Sequence, residues 1–184
     1  PVLPVSTLNG TLVADGTPAQ PIIFTSDTDD SAGGDTNNNG ASSGNFGHWN
    51  AIRFQPGSTG SLLDNAEVRF GGSGSFGLAG SVVVDQAELT MTNSVVRSSD
   101  TAGVRIISSS PLLSGVTFVT NLGSAVGMDL VSDATILGPM FAGNTVNGLA
   151  IDSGNLPTDI TWDDAEIVYW LTGAVVVPAG RTLT

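Results

Sequence analysis

From residue 81 onward the apolar positions come in short runs of three or four, separated by corners of glycine, asparagine and serine. The chain divides there into SVVVDQAELTMTNSVVRSSDTAG, VRIISSSPLLSGVTFVTNLGSAVG, MDLVSDATILGPMFAGNTVNG and LAIDSGNLPTDITWDDAEIVYWLTG. The units end at Gly103, Gly127, Gly148 and Gly173, and Gly80 precedes the first, so the spacings are 23, 24, 21 and 25 residues. Each unit opens on an apolar run (VVVD, VRII, MDLV, LAID and, after Gly173, AVVV). A second run follows (ELTM, LLSG, TILG, DITW), then a third (SVVR, VTFV, NTVN, EIVY). Runs of this length read as strands, and the corners between them are too short to hold a crossover helix.

A period held this closely is the mark of stacked repeats. Three short strands per period predict an all-β fold, a parallel β-helix of about 21–25 residues per rung. Equivalent strands then lie about 4.8 Å apart in three long sheets. The pattern predicts apolar ladders of Val82/Val84, Val104/Ile106, Met128/Leu130, Leu149/Ile151 and Ala174/Val176, with Asn93, Gly115 and Asn144 at corners that need left-handed backbone. An antiparallel sandwich also uses short strands, but nothing in it would keep one register over five units.

Upstream the same grammar continues with longer insertions. LNGTLVADGTPAQPIIFTS supplies two strands around Gly16-Thr17-Pro18, and WNAIRF and LLDNAEVRF supply more. The expectation is one domain spanning residues 1–184, with a loop insertion at 29–48 and incomplete rungs at both ends. Pro1 in the place of a methionine reads as the start of a processed or excised piece.

Composition narrows the function. The chain of 184 residues has no lysine, five arginines, no cysteine and a net charge of −12. Such a surface repels phosphate backbones and anionic headgroups, so nucleic acid is not an expected partner. Schiff-base and thiol chemistry, disulfides and the usual structural zinc sites are excluded. No apolar run approaches the roughly 20 residues of a membrane-spanning helix. The acidic, cysteine-free composition points to an extracellular, calcium-containing setting.

The phrases GTLVADGTPAQPIIFTS, DDSAGGDTNNNG, WNAIRF and VVVPAGRTLT resemble those of large bacterial secreted and cell-surface proteins carrying right-handed parallel β-helix repeats. The resemblance covers most of the chain. It implies a right-handed solenoid at the cell surface or outside the cell, and it does not by itself imply a reaction.

The acidic insertion DDSAGGDTNNNG is the first candidate site. Asp27, Asp29, Asp30, Asp35, Asn37 and Asn39 could wrap oxygens around a calcium ion, which takes six to eight of them, and the glycines allow a tight backbone. No arginine lies near these carboxylates in sequence, and unpaired they would repel one another. The alternative is a solvated turn. His48, the only histidine, reads as a packed corner residue, and Trp162, Tyr169 and Trp170 as a cover for an end of the coil before a sugar platform. Arg53, Arg69, Arg97 and Arg105 suggest an outward stripe, but acidic residues do not gather opposite them as a polysaccharide lyase or hydrolase would need.

The ends carry the remaining expectation. Open solenoid ends leave unpaired strand edges and an apolar cross-section. Val2, Leu3 and Val5 at one end and Val175, Val177 and Leu183 at the other are the expected assembly interface, joining copies head to tail or joining the chain to adjacent β-helix segments of a parent chain. About ten backbone hydrogen bonds at roughly 0.5–1.5 kcal/mol each only match an association cost of about 4–15 kcal/mol, so apolar burial has to supply the surplus. The leading reading is therefore a non-enzymatic, extracellular structural protein that stacks into a filament or surface stalk. A calcium-stabilised adhesin or glycan-binding module comes second, and a carbohydrate-active enzyme third.

Overall fold

The computed structural model describes residues 5–74 and 79–184, and all regular structure among them is β-strand. The first turn of the chain carries β1 (Val5–Leu8), β2 (Val13–Asp15) and β3 (Ile22–Phe24), and the second β4 (Ala51–Phe54), β5 (Ser61–Asp64) and β6 (Ala66–Arg69). The third carries β7 (Gly80–Asp85), β8 (Leu89–Thr92) and β9 (Val95–Arg97), and the fourth β10 (Ala102–Ile107), β11 (Leu112–Ser114) and β12 (Thr117–Val119). The fifth carries β13 (Ser124–Met128), β14 (Thr135–Leu137) and β15 (Met140–Ala142). Two turns with two strands each follow, with β16 (Val146–Ile151) and β17 (Gly154–Asn155), then β18 (Tyr169–Leu171) and β19 (Val175–Val176).

Strands one turn apart in sequence are neighbours in space. The first sheet runs β1-β4-β7-β10-β13-β16-β18, the second β2-β5-β8-β11-β14 and the third β3-β6-β9-β12-β15, while β17 and β19 form a small fourth. All these pairings are parallel. The chain is a parallel β-helix.

Like side chains sit over like. In the first sheet Ile52, Val82, Val104, Val126 and Leu149 form one inward ladder and Phe54, Val84, Ile106, Met128 and Ile151 the next. None of these ten is more than 2 % exposed. Ala14, Leu63, Met91, Leu113 and Ile136 face them from the second sheet, and Phe24, Val68, Val96, Phe118 and Phe141 from the third. The Phe118 and Phe141 rings stack at 5.9 Å. Each such buried side chain stabilises the fold by roughly 1.5–3 kcal/mol before the entropy of ordering it is subtracted.

The corners are ladders too. Asn65, Asn93, Gly115 and Gly138 turn the chain from the second sheet to the third, and Phe70, Ser98, Thr120 and Gly143 turn it onward, all with positive φ. The buried Asn121 and Asn144 line the last corner. Asn144 Oδ1 accepts from Asn121 N at 3.0 Å and from Asn121 Nδ2 at 2.8 Å, and Asn121 Oδ1 accepts from Ser99 N at 3.0 Å.

Several expected registers are corrected. The ladder positions in the fifth turn are Val126/Met128, not Met128/Leu130, and in the last turn Tyr169/Leu171, not Ala174/Val176. The repeating glycines are not equivalent: Gly80 pairs with Ala102 but Gly127 with Arg105. Glycine spacing followed neither the phase nor the length of the turns: the registered steps Val82, Val104, Val126, Leu149 and Tyr169 are 22, 22, 23 and 20 residues, against glycine spacings of 23, 24, 21 and 25. The fifth-turn equivalent of Asn93 and Gly115 is Gly138, not Asn144, which follows the left-handed Gly143 at the next corner and serves there as a hydrogen-bonding rung. The third strand there is Met140–Ala142, because one large inward side chain, Phe141, suffices to continue the stack on Phe118. The DITW run joins no long sheet: Ile160 forms an isolated bridge with Leu183.

Candidate functional site

Three features lie outside the regular coil: the acidic insertion, the charged rows on the sheet faces and the two ends. The insertion leaves the third sheet after β3 and returns at β4. Arg69, on β6 and remote in sequence, supplies the cation that the loop lacks. Its Nη2 lies 2.6 Å from Asp29 Oδ2, with side-chain exposures of only 6 % and 4 %. Asp29 also accepts from Thr25 Oγ1 at 2.5 Å and Ser31 Oγ at 2.6 Å. Burial pushes the Asp29 carboxyl up, but the donors on Ser31, Thr25 and Arg69 together outweigh it and hold the group below the usual range.

The pair extends along the outer face of the third sheet. Glu67 Oε1 takes Arg69 Nη1 at 2.9 Å and Arg97 Nε at 2.5 Å, and both guanidinium groups lie over the Phe70 ring. Phe70 also seats the loop: a Cβ on Gly44 would come within 2.2 Å of its ring, so only glycine fits there. Trp49 Nε1 donates to Arg69 O at 2.9 Å, and His48 Nδ1 lies 2.9 Å from Thr28 Oγ1 and 3.0 Å from Ser26 Oγ. His48 is thus a packed corner residue.

The remaining candidate calcium ligands are spread along the loop. Asp30 accepts from Ser42 N at 2.6 Å, Asp35 from Asn39 N at 3.1 Å and Gly40 N at 3.0 Å, and Asn37 Oδ1 from Asn39 N at 3.1 Å. Ser26 Oγ donates to Asp27 at 3.4 Å. Among the described residues no three His, Cys, Asp or Glu come together in a way that could hold a metal ion.

The arginines form two pairs on two faces and not one stripe. Arg69 and Arg97 are register partners on the third sheet, whereas Arg53 and Arg105 flank Val83 on the first. Arg53 binds Asp85 at 2.5 Å. Arg105 crosses Gly127, whose missing side chain lets the guanidinium lie close to the sheet, and grips both oxygens of Asp152 two turns on.

Among the described residues β1, β2 and β3 are all outermost strands at the N-terminal end. Leu8, Leu12, Ile22 and Phe24 are only partly buried there, and Val13 is 61 % exposed. Val2 and Leu3 lie outside the described residues, and Val5 begins β1.

The C-terminal end differs. The second and third sheets stop at β14 and β15, and only the first continues to β18. Residues 162–169 run past the stopped edge. Asp164 Oδ1 accepts from Ile136 N at 2.9 Å and Glu166 Oε2 accepts from Gly138 N. Ile167 is buried in the core cluster, with Trp162 and Tyr169 packed against it and their rings stacked at 5.6 Å. Trp162 and Tyr169 therefore cover the core, while Trp170 is exposed on the outer face of β18. Val175 packs against the core, Val177 is exposed, and Leu183 pairs with Ile160. An open cavity of about 330 Å³ beside this end is lined by Asp133, Asp159, Thr158, Thr161, Thr182 and Thr184 among others. Burial raises the carboxyls of Asp133 and Asp164, and the neighbouring Asp163 raises both further. Sequence reading missed this closing segment: Asp164 and Glu166 sit at a turn closed by Ile167 N donating to Asp164 O, and the period of the strands gives no signal for it.

The fold and these features define a repeat protein of the parallel β-helix class in which four of the five arginines engage carboxylates of the same chain. No family model, curated protein or solved structure matches the chain.

Proposed function

We propose that the chain is a non-enzymatic structural β-helix of an extracellular or cell-surface assembly, extended end to end by further β-helical rungs into a filament or stalk. The observation that carries this reading is the N-terminal face. Among the described residues three outermost parallel strands, β1, β2 and β3, stand there around the partly exposed apolar side chains Leu8, Ile22 and Phe24. Strand edges of this kind take another strand, and burial of the apolar ring supplies the free energy that backbone pairing alone lacks. Four of the five arginines are engaged in ion pairs within the chain, which suits a rigid scaffold better than an anion-binding groove.

Negative-stain microscopy and sedimentation of the purified chain over a concentration series test the proposal. Rods or particles that lengthen with concentration are expected, and Phe24→Asp, which charges the N-terminal ring, shortens them. Particles of one short length at every concentration overturn it.

A glycan-binding module is the second reading, favoured by Trp170, which is 48 % exposed on the outer face of β18. Loss of glycan-array binding on Trp170→Ala would select it.

A further inference from the structure

The second sheet ends at β14, yet the outward amides of that edge strand are not left to solvent. Thr135 N donates inward along the sheet to Pro111 O at 3.0 Å, so Ile136 and Gly138 are the positions that point away from β11. Their N–H groups are the ones a sixth strand would use. Each instead meets a carboxylate, Asp164 for Ile136 and Glu166 for Gly138. The segment that carries these side chains is anchored on one side by Trp162 stacked on Tyr169, whose hydroxyl accepts from Asp164 N at 3.0 Å, and on the other by the buried Ile167.

We propose that residues 162–168 are an edge guard, in which Asp164 and Glu166 occupy the hydrogen-bonding positions of the next strand and so block strand addition to the second sheet at the C-terminal end. Natural sheets protect exposed edges with charge for this reason. The excluded partner is a second copy of this chain, presenting β2, the opposite edge of the same sheet. That edge carries the exposed Asp15, directly over Asp64 in register. Bringing it to β14 would set it against Asp164 and Glu166, with Asp133 and Asp163 close by, so the guard repels as well as fills. End-to-end contact at the C-terminal end is then closed to the second sheet and left to the outer strands of the others, β15 and β18 among them. This last consequence rests on the end-to-end reading above, while the guard does not.

Amide exchange by NMR tests the guard directly. In the wild-type chain the amides of Ile136, in the edge strand, and Gly138, at the corner that follows it, exchange slowly although among the described residues no strand pairs with them. In Asp164→Ala/Glu166→Ala they exchange at least about ten-fold faster, as expected when an opening free energy falls by about 1.4 kcal/mol. Asp164→Asn/Glu166→Gln keeps the acceptor oxygens and retains the protection, which separates edge filling from bulk charge and from loss of fold. Equal exchange of these two amides in the wild-type and alanine chains overturns the proposal. Sedimentation of the same samples reads the end-to-end model separately: a guard intact by exchange in a chain that never associates leaves the guard standing and removes the filament.

Discussion

The acidic insertion and the C-terminal closing segment are both excursions that lean on the outside or end of the coil through carboxylates, and they balance their charge in opposite ways. Asp29 is buried against Arg69, and its donors hold its carboxyl below the usual range. Asp164 is also partly buried, but it has one backbone donor and acidic neighbours, and its carboxyl is raised. A carboxylate brought to a protein surface thus becomes a clamp where a guanidinium meets it and a strained cap where only amides do.

Removing the guanidinium should have the largest effect. Arg69→Ala leaves Asp29 buried without a cation and removes one of the two guanidinium partners of Glu67, so a loss of about 3–5 kcal/mol is expected from urea unfolding. Adding Asp29→Ala to that variant should recover part of the loss, because the orphaned charge goes with it. The recovery, read as a double-mutant cycle, measures the clamp. A cycle with no coupling would mean that the insertion is held by Phe70 and Trp49 alone.

The same contrast explains what was legible in the sequence. The repeat, the parallel class and most first-sheet ladders follow from the period, since every turn must place an apolar residue inward. The phase failed at Met128, where the turn kept its 22 residues while the glycine spacing grew to 24, and at Ala174, where the turn shortened to 20 while the glycine spacing grew to 25, so the glycines carried no register. The loop was legible as acidic and glycine-rich, but its partner was not: Arg69 lies 40 residues beyond Asp29, and only the stacking of β6 on β3 brings them together. The guard was hidden for a different reason. Its residues look like a third strand and an acidic corner, and their role depends on β14 having no neighbour.

Acidification should sharpen the contrast further, with a smaller effect. Asp164 and Asp133 have folded carboxyls raised by burial, so the folded chain binds protons there more readily than the unfolded one. Stability therefore rises as pH falls from neutral through their folded values. Asp29 is lowered by the donors described above, and Asp64 chiefly by the Thr92 hydroxyl and the Asn93 amide. Their contributions are full above the unfolded carboxylate value and are lost as pH falls through the folded ones. The melting temperature should pass through a maximum on the acid side of neutrality. Asp133→Asn/Asp164→Asn should abolish the rise and leave the later fall, whereas a rise that persists in that variant would place the raised groups elsewhere.

Calcium should produce the smallest effect, and a local one. The base of the insertion is already fixed by Asp29, Arg69 and Trp49, so an ion has little left to order there. The oxygens of Asp27, Asp30, Asp35, Asn37 and Asn39 lie further out, spread along a tip whose turns depend on Gly33, Gly34 and Gly40 at positive φ. A cation that draws them together stiffens the tip and does not add to the core. Titrating calcium should then slow amide exchange across residues 30–40 while the urea midpoint stays in place, because global unfolding is governed by the ladders and the tip opens well below that free energy. A midpoint that climbs with calcium would instead mean that the ion replaces Arg69 as the partner of Asp29, and it should then also rescue Arg69→Ala.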